Sequence, residues 1–339
     1  MKAWSASRLM IVCLVSLLFW AGVALVCVFV GHHAWGWPRD SFIRGERLTT
    51  IAVASLVGAA LAAAGVTYQA VLRNPLAEPY LLGVSGGASL MAYLAAVSAG
   101  GLTSWLEPLG QQSAAFIGAI AALAVVMLLS NRRGRLEPVT LLLVGVIVSA
   151  ICGAIYLLVY HLNLRREVTF GTGGPFRFLV GAINTNLTHQ QIATAAGIIA
   201  AGWGVLLFYA GQLNVALLSE AEAEALGVRI HRLRWIVLIV ASLITAAAVA
   251  VSGPIGFVGL VCPHVARLIV GSDTRRLLPV ATAFGAALLA MADAVSRSAS
   301  TLTYGPLPVG VLTGLLGGPF FLFLLWHRTA RSARVLASS

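Results

Sequence analysis

Residues 48–72 read LTTIAVASLVGAALAAAGVTYQAVL, and residues 73–89 continue RNPLAEPYLLGVSGGAS. The first stretch carries no charge and exceeds the ~20 apolar residues a helix needs to cross a bilayer. A soluble surface helix of that length would show a charged face, and this one has none. The second stretch ends it. Pro75 and Pro79 cannot donate backbone hydrogen bonds, and they bias Asn74 and Glu78 away from helix. Gly83 and Gly87 then allow close helix contact. The passage predicts a span, a defined turn and a second span.

The rest of the chain extends that pattern. Of 339 residues, 59% are hydrophobic and 10% charged, where a soluble domain carries about 25% charge. Mean hydropathy is +0.93. That is too much apolar surface for one water-soluble core, so the solvent is lipid. Apolar runs occur at about 9–31, 48–72, 80–98, 112–130, 139–161, 190–211, 234–252, 256–271, 278–296 and 308–326. The eighth is short and carries Pro263. The first follows Lys2 and Arg8 like a signal peptide, but its apolar stretch is too long and ends in no clean cleavage site. The expected fold is an all-α polytopic membrane protein with about ten spans, a single permease-like domain over residues 1–339.

Charge sets the orientation. The net charge is +11, and 21 of the 22 basic residues are arginine, Lys2 being the exception. With both termini cytoplasmic, Arg39, Arg44, Arg47, Arg165, Arg166, Arg177 and Arg297 fall outside, and the other 15 basic residues fall inside. This is the positive-inside bias, and it removes the need for nucleic acid. A chain without lysine in its body has no P-loop and no Schiff-base lysine. Cys13, Cys27, Cys152 and Cys262 all lie in apolar runs with no Cys-x-x-Cys spacing, so neither a disulfide framework nor a zinc site is expected. No other metal site or catalytic residue is expected.

Small residues are dense, as in Gly58–Gly65 and Gly285–Ala290, and such stretches let helices pack closely in lipid. The echo between these two is ascribed to composition and not to an internal repeat. The outer loop 162–189 holds a glycine-rich turn at 171–175 and a half-apolar segment, Phe176–Ile183, expected as a short interfacial helix. The inner loop 212–233 holds a second one, Leu217–Gly227. Ser219 is its expected N-cap, Glu220, Glu222 and Glu224 suit an N-terminal end, and Gly227 stops it. Nothing inside the chain needs this polar helix, which predicts a partner.

Two further segments resemble the first in style. They are Ser252–Arg267, SGPIGFVGLVCPHVAR, and Leu307–Phe321, LPVGVLTGLLGGPFF. Taken together, in this order and spacing, the three segments resemble the permease subunits of ABC importers for iron-siderophores, haem and vitamin B12. The resemblance runs from about Arg44 to Arg328. Its motif positions here are Asn74, Pro75, Gly83, Gly87, Gly256, Gly259, Pro263, His264, Pro308 and Gly310. It implies a multi-pass subunit of a bacterial inner membrane, paired with a second copy. Two ATP-binding cassette subunits would dock inside and a periplasmic or extracellular binding protein outside. ATP and Mg would be used by the ATPase, with no cofactor on this chain.

The resemblance also implies residue roles. Arg44, Arg47 and Arg297 would face outward and pair with acids on the binding protein, although Gly45 and Glu46 depart from the family text. Planar guanidinium groups suit such pairs. Coupling to the ATPase would fall to Leu217, Leu218, Ser219, Glu220, Glu222, Glu224, Leu226 and Gly227. An inner gate would lie at Glu137, Pro138, Val139 and Thr140, with the first two departing from family residues. The text Glu78–Ala88 favours siderophore-type or cobalamin-type members over haem-type ones.

Three readings compete. Asp293, costly inside a span, is expected to pair with Arg297 at i+4 as structure and not as a ligand. His264 could ligate metal or haem, and a hydrogen-bonded structural role is preferred; His32 and His33 are adjacent but complete no site. Gly83-Val-Ser-Gly86 fits a rhomboid-type protease pattern with Ser85 as nucleophile, and an ion-coupled secondary transporter is a further alternative. Neither explains the three segments together.

Overall fold

The computed structural model describes residues 6–31, 36–97, 110–132, 135–162, 175–184, 187–218, 220–299 and 307–337. It is all-helical apart from a small hairpin. In chain order the helices are α1 (Ala6–Phe29), α2 (Ser41–Val71), a 3-10 turn (Pro79–Leu82), α3 (Val84–Val97), α4 (Gly110–Ser130) and α5 (Pro138–Leu162). They continue with α6 (Pro175–Val180), α7 (His189–Ala216), α8 (Glu220–Ala225), α9 (Ile230–Ser252), α10 (Val258–Val270), α11 (Thr274–Ala299) and α12 (Val309–Ala337). Between α4 and α5, Asn131 pairs with Leu136 and Arg132 with Arg135 in an antiparallel hairpin of β1 (Asn131–Arg132) and β2 (Arg135–Leu136).

Among the described residues, α1, α2, α4, α5, α7, α9 and α11 are the seven helices long and apolar enough to cross a membrane. Val84–Val97, Val258–Val270 and Val309–Phe323 are shorter apolar helices at the other expected spans. The eighth run is the shortest of these, and Pro263 lies inside it.

The centre of the bundle is α2, buried almost continuously from Ala60 to Val71. Around it lie α11, α9, α10 and α7. The small residues explain how four neighbours fit. A methyl on Gly58 would overlap the Gly285 carbonyl, and one on Gly65 would overlap that of Gly259. Gly87 and Gly118 meet in the same way between α3 and α4. The two echoing stretches are therefore packed against each other, backbone to backbone, as close approach in lipid requires. Buried polar side chains bridge the helices. Tyr68 Oη and Ser242 Oγ lie 2.6 Å apart, and the indoles of Trp20 and Trp203 donate to Ser55 and Thr282 at 2.9 and 3.0 Å.

The perimeter is apolar and exposed: Met10 71%, Leu128 72% and Phe208 79%. In a water-soluble chain this would be an aggregation surface; here it is the lipid-facing side.

Candidate transport and coupling sites

The three glycine- and proline-rich segments are places where helices break, and they partner one another. Asn74 Oδ1 accepts from the Leu76 N–H at 3.0 Å and fixes the turn after α2. Gly83, with φ of 80°, ends the 3-10 turn in a left-handed conformation. The carboxylate of Glu78 accepts from the backbone N–H of Phe257, the N-cap of α10. A negative group at a helix N-terminus satisfies a donor that has no partner within the helix. Glu78 lies between the spanning helices, beside Leu61 of α2, Thr245 of α9 and Gly259 of α10. Gly256 lies beside the same carboxylate.

Pro263 illustrates the same logic. It cannot donate to the carbonyl four residues earlier, that of Gly259. Gln69 Nε2 donates to that carbonyl at 3.3 Å, while its Oε1 accepts from Arg267 at 2.9 Å. His264 packs its ring edge-on against Phe320 with centroids 5.9 Å apart. Among the described residues no three His, Cys, Asp or Glu side chains gather to hold a metal. The Ser85 hydroxyl donates to the Tyr80 carbonyl at 3.3 Å, within its own motif. In the third segment, the Gly310 N–H donates to the Gly181 carbonyl at 2.9 Å, and a methyl on Gly310 would overlap the Val180 carbonyl. Pro308 thus introduces a helix seated on the end of α6.

Helix α8 is shorter than the sequence indicates. Leu217 and Leu218 form a turn after α7, the helix covers Glu220–Ala225, and Gly227 closes it with φ of 79°. Leu217, Leu218 and Leu226 are 45%, 41% and 63% exposed, and Glu222 and Glu224 are exposed as well. Ala223 is fully buried and anchors the helix. Ser219 lies outside the described residues, as does the side chain of Glu220. At the expected gate, Val139 is 72% exposed and Thr140 donates to the Glu137 carboxylate at 2.8 Å; the Pro138 side chain lies outside the described residues.

The outer arginines are arranged differently from the expectation. Arg47 donates to the carbonyls of Val28 and Gly36 at 2.9 and 3.3 Å. Arg297 is 7% exposed; it reaches the Cys27 carbonyl at 3.4 Å and pairs with Asp293 at 3.4 Å. Both tie the outer end of α1 to the bundle. The i+4 pair was legible in the sequence, and the inward turn of Arg297 was not. Arg44 remains half-buried and Arg39 exposed at the outer end of α2. His32, His33, Arg165 and Arg166 lie outside the described residues.

A family model described as the FecCD transport family matches residues 8–327. The chain belongs to the FecCD transport family. The cobalamin import system permease protein of Halobacterium salinarum is 41% identical over 313 residues, 91% of this chain and 80% of that one. The hemin transport system permease protein of Yersinia pestis is 38% identical over 82% of this chain and 81% of its own length. A solved structure described as an inward-facing metal-chelate type ABC transporter superposes with a TM-score of 0.78 at 28% identity, covering 93% of this chain and 98% of that one. This FecCD chain is thus a multi-pass membrane permease of the ABC-transporter type. Gln69, Asn214 and Asp273 are polar residues that sequence reading passed over, and the side chain of Glu78 was given no partner there. A carboxylate between two prolines in apolar text, as at Glu78, was the one available signal.

Proposed function

We propose that this FecCD chain is the membrane permease of an ATP-driven, binding-protein-dependent importer for a bulky metal chelate. It works as a homodimer in a bacterial inner membrane, with ten crossings and both ends cytoplasmic. Two ATPase subunits, which use ATP and Mg, dock inside, and a binding protein delivers the cargo outside. The chain performs no covalent step and holds no cofactor. The observation that carries this reading is α8, a short helix between two spanning helices that offers exposed leucines and glutamates while one alanine anchors it. That pattern suits a groove in another protein. Closure of the ATPase would push α8 and bias the spans between outward- and inward-open states.

A ferric siderophore is the proposed cargo, on the text Glu78–Ala88. Cobalamin is the second reading, favoured by the 41% identity to the Halobacterium permease. Reconstitution with the ATPase and binding protein, followed by parallel uptake of a ferric siderophore, haem and cobalamin, decides between them. In that system Leu226→Asp leaves ATP hydrolysis and abolishes uptake. Full uptake by an intact Leu226→Asp complex would remove α8 from the coupling role.

A further inference from the structure

The chain leading into α8 is stitched to the rest of the bundle by side chains no motif includes. Asn214, in the last turn of α7, donates through Nδ2 to Asp273 Oδ1 at 2.7 Å. Its Oδ1 accepts from the backbone N–H of Thr274 at 2.7 Å. Asp273 Oδ1 also accepts from the Arg275 N–H at 3.1 Å. One amide and one carboxylate therefore satisfy the first donors of α11, one from within the loop and one from α7. Beside them, Arg73 Nε donates to the carbonyl of Ala216, the last residue of α7, at 2.9 Å. The guanidinium of Arg275 lies across Gly211, where a methyl would stand 2.6 Å from Nη2. The end of α7, the loop after α2 and the start of α11 are thus held together just before α8 begins.

The placement has a mechanical consequence. The pair α2 and α11 is packed backbone to backbone at Gly58 and Gly285, with no gap between them for one to move into without the other. A push on α8 reaches this pair through its two neighbours, α9, which packs on α2, and the end of α7, which packs on α11. We propose that Asn214 and Asp273 form a force-transmitting clasp, a positioning pair through which movement of α8 shifts α11 and, with it, α2. A charge-assisted amide–carboxylate hydrogen bond is short and directional, which suits a link that must not slip. The inference rests on the permease reading and deepens it, by naming the residues that carry motion from α8 into the spans.

The test uses the full complex of permease, ATPase and binding protein in proteoliposomes. Labelled cyanocobalamin, haemin and a ferric hydroxamate serve in parallel as cargo, and uptake and ATP hydrolysis are read in the same vesicles. Asp273→Ser keeps an oxygen that can cap α11 but is too short to reach Asn214. Asn214→Ala removes the clasp from the other side. Both are expected to assemble and hydrolyse ATP while uptake per ATP falls by about tenfold, the factor one hydrogen bond to a charged group supports. Asp273→Asn retains an acceptor for both donors and is expected to keep normal uptake per ATP. A purely local cap would be preserved by serine and would not move this ratio. Normal uptake per ATP in assembled Asp273→Ser and Asn214→Ala overturns the clasp alone. Absence of ATP-driven uptake in the unmutated complex, with every cargo, overturns the permease reading and the clasp with it.

Discussion

Removing the Asp293 carboxylate separates two roles for Arg297. The pair lies 3.4 Å apart, with the residues 5% and 7% exposed. At an effective dielectric of ~20, unit charges at that distance attract by about 5 kcal/mol. Most of this offsets the cost of taking both groups out of water, so the intact pair adds little net stability. Breaking it is another matter. Asp293→Leu leaves a guanidinium buried without its acid, which costs about 3–5 kcal/mol. Replacing both, Asp293→Leu with Arg297→Met, removes the stranded charge. It forfeits the contact from Arg297 to the Cys27 carbonyl, about 1 kcal/mol. The assay is reversible unfolding in detergent micelles for the wild type, both single variants and the double. If the two single effects sum to the double within about 0.5 kcal/mol, the groups are not coupled and the reasoning fails. The same proteins address docking. An inward-paired Arg297 predicts that Arg44→Gln slows capture by the binding protein without changing stability, and that Arg297→Met changes stability first. Weaker capture with unchanged stability in Arg297→Met would place its guanidinium on the partner instead.

Two other perturbations follow from the interior. Gly285→Leu forces α2 and α11 apart at a backbone contact; overpacking of this kind costs about 1–3 kcal/mol, seen as a lower unfolding midpoint, and an unchanged midpoint would mean the helices do not meet there. Glu78→Gln can still accept from Phe257 and is expected to keep the unfolding midpoint, whereas Glu78→Leu strands that N–H and lowers it; equal midpoints for the two variants would mean the contact contributes nothing.

The spans were legible because lipid is an unforgiving solvent. Every backbone polar group must be met internally, so residues 48–72 could be little else than one helix. The short helix α8 was legible for the opposite reason, since acidic residues and a terminal glycine between two apolar runs have no other local use. The outer arginines were not. Docking, snorkelling and inward pairing all place arginine at a helix end, and only the fold shows Arg47 reaching back to α1. The match of Gly58 to Gly285 was visible but looked compositional, because sequence shows that both are small and not that they touch.

The motifs themselves teach something narrower than they promise. Each marks a place where a helix ends or is broken, and each freed group is met by a residue far away in sequence. Glu78 meets Phe257, Gln69 meets the carbonyl that Pro263 releases, and Gly310 meets Gly181. A break in lipid survives only if its N–H and C=O groups are satisfied by other parts of the protein. These residues therefore answer to the architecture and not to the cargo. The family likewise includes relatives named for cobalamin and for hemin, which leaves the chelate to be read from uptake.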